Sequence, residues 1–313
     1  MSGDARAAAP SSLLVTHSRG KVQLAFGVIY LVWGVSYAAN RIMALALPPL
    51  LAAGVRFMLA GSLLTAVARA RGLKLPARRG DWLSVAAAAL LGVVLSNGLS
   101  VLALQHIASN QAALINSSSA FWIAWLGMYG RRATSVNSRT WVGLALGFIG
   151  VALLVSAHGF GPGAQVGWQL MVLAATLCWA LATTVMRESQ TECDPLVFTA
   201  CYLLMGGVLL AATGLAGGDA ARWNWSVGGL LSIVFLAIFS STFGFVAYTY
   251  LLVHETPSRI GTYAYVNPLI AVLTGWLVLD ERLDGLQLAG SAIIFAGVIL
   301  VRNLRLWPRA RRT

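Results

Sequence analysis

Ten long apolar runs constrain the fold of this 313-residue sequence more than any other feature. Because a helix rises about 1.5 Å per residue, roughly 20 apolar residues cross the hydrocarbon core of a membrane. Only 10% of the residues are charged, whereas an ordinary soluble domain has about 25%. The sequence therefore predicts an all-α membrane protein with ten transmembrane helices. The runs lie near residues 22–45, 49–68, 82–104, 109–129, 140–157, 167–187, 195–215, 227–253, 257–279 and 285–302.

The formal net charge is strongly positive, at +12. Nucleic-acid-binding proteins share this property, but lysine and arginine also gather in the cytoplasmic loops of membrane proteins. With a cytoplasmic N-terminus, 18 of the 22 lysines and arginines fall on the cytoplasmic side. Arg41, Arg222 and Arg282 fall on the outer side, and Arg56 lies within a span. We therefore expect a multi-pass protein of a bacterial inner membrane, with both termini in the cytoplasm and no nucleic-acid partner.

The sequence contains an internal duplication. A shift of 146 residues, and of 147 near the end of each copy, aligns identical residues in the two halves. The aligned pairs include Trp33 with Trp179, Arg41 with Arg187, Pro49 with Pro195, Gly61 with Gly207, Gly98 with Gly244, Gly143 with Gly290, and Gly150 with Gly297. We predict two five-helix repeats, at residues 22–157 and 167–302, between a cytoplasmic N-terminal tail (1–21) and a basic cytoplasmic tail (303–313).

The turn between the fourth and fifth spans carries opposite charge in the two copies. It reads "GRRATSVNSRTWVG" at residues 130–143 and "LVLDERLDGLQLAG" at residues 277–290. Five spans are an odd number, so the second copy enters the membrane from the opposite side and its turn faces outward. Two inverted repeats can expose a central site to each side in turn. This pattern favours transport over a static duplicated scaffold.

Three stretches carry a family resemblance: "VIYLVWGVSYAANR", "PPLLAAGVRFMLAGSLLTA" and "NPLIAVLTGWLVLDERLDGLQLAGSAIIFAGVIL". From about Gln23 to Arg302 the chain resembles the ten-helix EamA-type branch of the drug/metabolite transporter superfamily. The resemblance implies export of small metabolites, often amino acids, and is greatest to exporters of aromatic amino acids. The first copy departs from the pattern, because Ala120 stands where Pro268 stands in the second and Arg131 and Arg132 replace the acidic turn.

Polar and aromatic side chains within the spans are candidates for lining a substrate cavity, because hydrocarbon offers a polar group no water partner. Trp33, Tyr37 and Asn40 share one face of the first span by their i, i+4, i+7 spacing. The other candidates are Asn97, Asn116, Trp179, Thr183, Tyr248, Tyr263 and Asn267. The alternative for each is packing between helices, which we favour for the three serines of "NSSS" at residues 116–119.

Arg56 is the one basic residue well inside a span. An intramembrane charge is a candidate functional group, and here it would contact a substrate carboxylate. Two structural alternatives stay open, namely hydrogen bonding to backbone carbonyls at a helix break and extension of the side chain to the membrane surface.

All ten acidic residues lie in tails, loops or span ends. Proton-driven transporters use a carboxylate buried at mid-membrane, so we expect no obligatory proton coupling. The sequence lacks ATP-binding, zinc-binding and nucleophile motifs, so we expect no cofactor, metal or catalytic residues.

The sequence thus predicts an exporter of amino acids or similar small metabolites, acting by alternating access. Its expected partners are a small-molecule substrate and the lipid bilayer, and a monomer is compatible with the sequence. Three alternatives remain: an intramembrane enzyme acting on lipid or prenyl substrates, a multidrug or cation exporter of the same fold, and a receptor.

Overall fold

The computed structural model describes residues 19–129, 138–156, 165–189, 192–255, 260–261 and 263–301. These residues form helices and turns and include no β-strand. Arg131, Arg132, the predicted C-terminal tail and most of the N-terminal tail lie outside them. The helices at the predicted apolar runs are α1 (Arg19–Ala46), α2 (Pro49–Ala70), α3 (Arg79–Ala103), α4 (Ser109–Asn116 and Ser119–Leu126), α5 (Ser138–Ser156), α6 (Val166–Glu188), α7 (Pro195–Ala216), α8 (Val227–His254), α9 (Tyr263–Leu279) and α10 (Gly285–Val301).

Six helices in the described part of the chain are long and apolar enough to cross a membrane: α1, α2, α3, α6, α7 and α8. They contain 22 to 28 residues each. The apolar stretches of α5, α9 and α10 are shorter, although these helices lie where the sequence predicts spans.

The fourth apolar run forms two short helices and not the single helix that the sequence predicts. The break falls at Ser117 and Ser118, and the second piece ends at Leu126. Ser117 donates its hydroxyl hydrogen to the carbonyl of Leu114 in the preceding helix, a local bond that competes with regular helix geometry. Ser118 and Ser119 bond across helices, to Thr176 at 3.1 Å and Tyr263 at 3.4 Å.

The equivalent helices α2 and α7 pack against each other in antiparallel orientation. A Cβ atom added at Gly61 would lie 2.5 Å from the backbone nitrogen of Leu204, and one added at Gly207 would lie 2.6 Å from that of Met58. The shift of 146 residues that relates Gly61 to Gly207 also relates Met58 to Leu204. The two close approaches are therefore the same contact made twice, once from each copy.

The helices α5 and α10 repeat this arrangement. A Cβ atom at Gly150 would lie 2.7 Å from the carbonyl oxygen of Gly290, and one at Gly297 would lie 2.5 Å from that of Gly143. Small residues allow such close backbone contact in membrane helices. The glycines that recur in both copies thus join α5 to α10.

Each copy also contains a nine-residue π-helical segment, at Ala89–Asn97 in α3 and Leu236–Gly244 in α8. The side chains of Asn97 and Thr242 donate hydrogen bonds of 2.7 Å and 2.8 Å to the carbonyl five residues earlier. A spacing of five residues matches the wider turn of a π-helix. Short π-helical segments are frequent at functional sites. Both π segments contribute residues to the site described next.

Candidate functional site

One cavity is lined by residues of both copies and has about 770 Å³ of unfilled space, counting its open part. Its walls come from α1, α2, α3, α4, α6, α8 and α9. Nine of the predicted residues line it: Trp33, Tyr37, Asn40, Arg56, Asn97, Asn116, Trp179, Tyr263 and Asn267. The other lining residues are Ser36, Ser96, Ser100, Val101, Leu104, Ala112, Val172, Ser240 and Phe245.

The two remaining predicted residues, Thr183 and Tyr248, line a second pocket instead. Their hydroxyl oxygens lie 2.9 Å apart, so the two side chains hydrogen-bond each other. This second pocket also includes Arg187 and Glu255, at the ends of α6 and α8. The sequence predicts Thr183 and Tyr248 as residues of the same cavity as the others. Spacing along a helix indicates which face a residue lies on, but not how far along the membrane normal it lies relative to a cavity.

Arg56 is buried, with 2% of its surface exposed. Its Nη1 donates a 2.7 Å hydrogen bond to Asn40 Oδ1, and its Nε donates a 2.8 Å bond to Ser241 Oγ. The guanidinium carbon lies 4.3 Å from the centre of the Phe57 ring. Because the side chain is buried, it does not extend to the membrane surface, and neither of these hydrogen bonds uses a backbone carbonyl. These contacts fix the orientation of the guanidinium at the cavity wall.

None of the described residues that line the cavity with Arg56 carries a carboxylate. The described acidic residues lie at helix ends or in turns, as the sequence predicts. A buried charge is costly unless it is paired or solvated. The cavity therefore has a fixed positive charge that would favour an anionic group on a bound molecule.

Five aromatic residues pack together on one side of the cavity: Trp33, Trp179, Phe245, Tyr248 and Tyr263. The ring of Trp33 lies 5.8 Å from that of its counterpart Trp179, edge to face, and both rings lie 5.2 Å from Tyr248. Four members line the main cavity, whereas Tyr248 lines the second pocket. We call these five residues the aromatic cluster. It stands between the two pockets.

The two tryptophans of the aromatic cluster have different hydrogen-bond partners. Trp33 Nε1 donates to the carbonyl of Ser240 at 3.2 Å, within the π segment of α8. Trp179 Nε1 donates to the hydroxyl of Tyr263 at 3.0 Å. A Cβ atom at Gly244 would lie 2.4 Å from Trp33 Nε1, so a glycine is needed there to admit the indole. The copies thus place equivalent rings in non-equivalent surroundings.

Asn267 gives the cavity a hydrogen-bond acceptor. Its side chain is 3% exposed, and its Oδ1 has no hydrogen-bond partner among the described residues. An unpaired buried amide oxygen is costly. A bound ammonium or hydroxyl group would satisfy it.

Phe245 and Ser241 illustrate why some residues of this site were not predicted from the sequence. Phe245 is an apolar residue in an apolar run, so no sequence signal distinguishes it. Ser241 contacts Arg56 from within the π segment of α8, a local geometry that the sequence does not indicate.

An all-helical membrane protein with two copies of one unit around a polar cavity has the architecture of a transporter. The chain belongs to the EamA-like transporter family, whose sequence pattern matches it twice, at residues 22–156 and 166–303. It is 32% identical over 284 residues to the "Uncharacterized inner membrane transporter YedA" of Escherichia coli K12, covering 90% of each chain. It is 30% identical over 294 residues to the "Uncharacterized transporter YvbV" of Bacillus subtilis, covering 91% of this chain and 92% of that protein.

A solved structure with the fold of this chain is superposed with a TM-score of 0.66. The match covers 90% of this chain and 96% of the other at 20% sequence identity. This likeness concerns the fold alone. The family membership and the inner-membrane relatives agree with the transporter predicted from the sequence.

Proposed function

We propose that this protein exports amino acids, foremost aromatic or other neutral ones, or similar small metabolites that bear a carboxylate. The observation that carries this proposal is Arg56, a buried guanidinium at the wall of a cavity whose described lining residues include no carboxylate. A guanidinium presents pairs of parallel N–H donors, a fork that matches the two oxygens of a carboxylate. The unpaired Oδ1 of Asn267 suits an ammonium group, and the aromatic cluster suits an apolar side chain.

In the proposed topology, ten helices cross an inner membrane in two inverted repeats, with both termini in the cytoplasm. The antiparallel contacts of α2 with α7 and of α5 with α10 support the inversion. The 18 cytoplasmic lysines and arginines support the orientation. The cavity would then be exposed to each side of the membrane in turn.

We expect purified protein in proteoliposomes to exchange radiolabelled tryptophan or phenylalanine down its concentration gradient, without an imposed pH difference. The part of the cavity wall that the structure describes contains no acidic side chain that could carry a proton. Tryptophan and tryptamine form a matched pair of substrates, because tryptamine has the same indole and ammonium groups but no carboxylate. Transport of tryptamine in preference to tryptophan would favour the cation exporter, and chemical change of the solute would favour the enzyme. A strict requirement for a pH difference would contradict uncoupled transport.

Replacing Trp33 or Trp179 with alanine is expected to lower tryptophan flux about tenfold or more while the protein still folds. An aromatic contact with the substrate contributes about 0.5–1.5 kcal/mol beyond burial of its area, and the lost ring also leaves a void. Flux in proteoliposomes and monodispersity in detergent measure the two effects. The matched control is Trp225→Ala, at a residue that is 78% exposed. Wild-type flux in both cluster variants would remove these tryptophans from the site.

A further inference from the structure

The carboxylate of Glu281 is held by four contacts although it lies in the turn after α9. It forms an ion pair with Arg41, with Nε 3.2 Å from Oε1. It also accepts hydrogen bonds from the backbone nitrogen of Ser109 at 2.8 Å, from Ser109 Oγ at 2.7 Å and from the backbone nitrogen of Asn110 at 3.0 Å. Glu281 belongs to the second copy and its three partners belong to the first. One side chain therefore ties the two copies together.

The backbone around Glu281 is shaped to direct this side chain into the bundle. Asp280, the residue before it, is the one non-glycine residue with a positive φ, 51°, among the described residues. Such a conformation is uncommon and marks a local constraint. A Cβ atom at Gly275 would lie 2.5 Å from Glu281 Oε2, so a side chain there would displace the carboxylate from its present position. The rule that places charge on the two sides of a membrane explains neither the positive φ of Asp280 nor the space left at Gly275.

Arg41 extends the same contact to the edge of the main cavity. Its Nη1 donates to the carbonyl of Leu104 at 2.8 Å and to the carbonyl of Ile107. Leu104 and Ala112 line the cavity, and both lie near this end of α3 and α4. The Arg41–Glu281 pair and the α3–α4 turn therefore stand together at one end of the cavity.

The turn of the first copy that corresponds to the one with Glu281 contains no acidic residue. Arg187 is the counterpart of Arg41 in the second copy, but the turn that corresponds to the one with Glu281 reads "GRRATSVN" at residues 130–137 and contains no acid. The charge difference between the two turns agrees with topology, and it means that the first copy's turn has no counterpart of Glu281.

We propose that Glu281 and Arg41 form a latch that holds the two copies together across this end of the cavity. The latch must release before the cavity opens to that side, which in the proposed topology is the outer side. This inference rests on the proposed alternating access but not on the identity of the substrate. Loss of the latch would shift the population of conformations toward those open at this end.

Cysteine accessibility tests the latch without any substrate. Cys178, Cys193 and Cys201 are replaced with serine, and Ser100→Cys places a single thiol at the cavity. A membrane-impermeant maleimide is added to intact cells and, separately, to inverted vesicles. We expect Glu281→Gln to raise the initial labelling rate in intact cells about tenfold, the effect of losing one charged hydrogen bond.

The matched control is Asp280→Asn, the same acid-to-amide change one residue earlier at a side chain that is 81% exposed. It is expected to label at the unmodified rate. Ser109→Ala removes one of the four contacts and gives a milder variant, with about a threefold rise, should Glu281→Gln fail to fold. Unchanged labelling in both variants, or equal acceleration by Asp280→Asn, would overturn the latch. Acceleration in inverted vesicles alone would support the latch and contradict the proposed orientation.

Discussion

Replacing Arg56 with glutamine is expected to weaken transport of a carboxylate-bearing substrate about 100-fold, since removal of one partner from a buried charged contact costs roughly 2–5 kcal/mol. Glutamine can still hydrogen-bond to Asn40 or Ser241, the two partners of Arg56 in this structure. It lacks the positive charge and the fork of donors. Concentration dependence of tracer exchange in proteoliposomes measures the loss.

Measuring two substrates in each variant distinguishes a contact of Arg56 with the substrate from a structural role of Arg56. The probes are tryptophan and tryptophan amide, which differ in whether a carboxylate is present. If Arg56 contacts the carboxylate, Arg56→Gln weakens transport of tryptophan far more than that of the amide. Arg56→Lys keeps the charge but not the fork, so it should fall between the wild type and Arg56→Gln.

Arg282→Gln is the matched control, because this arginine lies in the α9–α10 turn with 78% of its side chain exposed. It is expected to transport both probes at the wild-type level. Equal weakening of both probes by Arg56→Gln, together with a lower melting temperature, would assign Arg56 to helix packing. The carboxylate hypothesis would then fail, although the cavity and the fold would stand.

The sequence was sufficient to predict the helical class, the two repeats and half of the residues that line the cavity. Each of these predictions depends on a pattern of residues along the chain that has a physical cause. The length of an apolar run indicates a transmembrane helix, and a constant shift between identical residues indicates a duplication. A polar residue inside a transmembrane helix indicates that its side chain has a partner or faces a cavity. Trp33 and Trp179 were linked by the shift of 146 residues before their rings were seen 5.8 Å apart.

Features that depend on depth or on local helix geometry could not be predicted in this way. Thr183 has the helical spacing of a cavity residue but lies beyond the aromatic cluster. The π segments leave no clear mark in composition, although Ser240 and Ser241, which contact Trp33 and Arg56, lie within one of them. The charge of Glu281 was explained by topology, so its partners 171 and 172 residues away had no signal in the sequence.

Replacing Gly61 or Gly207 with valine is expected to abolish accumulation of folded protein, and alanine at either position to cost about 1–3 kcal/mol, the usual range for overpacking. The new Cβ atom would lie 2.5 Å from the backbone of Leu204 or 2.6 Å from that of Met58. A backbone atom cannot rotate away as a side chain can. The helices α2 and α7 would have to separate, and the packing along the whole pair would weaken.

Thermal unfolding in detergent measures these losses, with Gly27→Ala as the matched control. Gly27 is also a helical glycine, but nothing lies within 4 Å of a Cβ atom added there. Its replacement is expected to be neutral or slightly stabilising, because alanine is the better helix former. Gly61→Ala and Gly207→Ala make the same contact from opposite copies, so their losses should be similar. A large loss in one and none in the other would mean that α2 and α7 do not pack as equivalent partners, and the inverted relation of the two repeats would lose its main structural support.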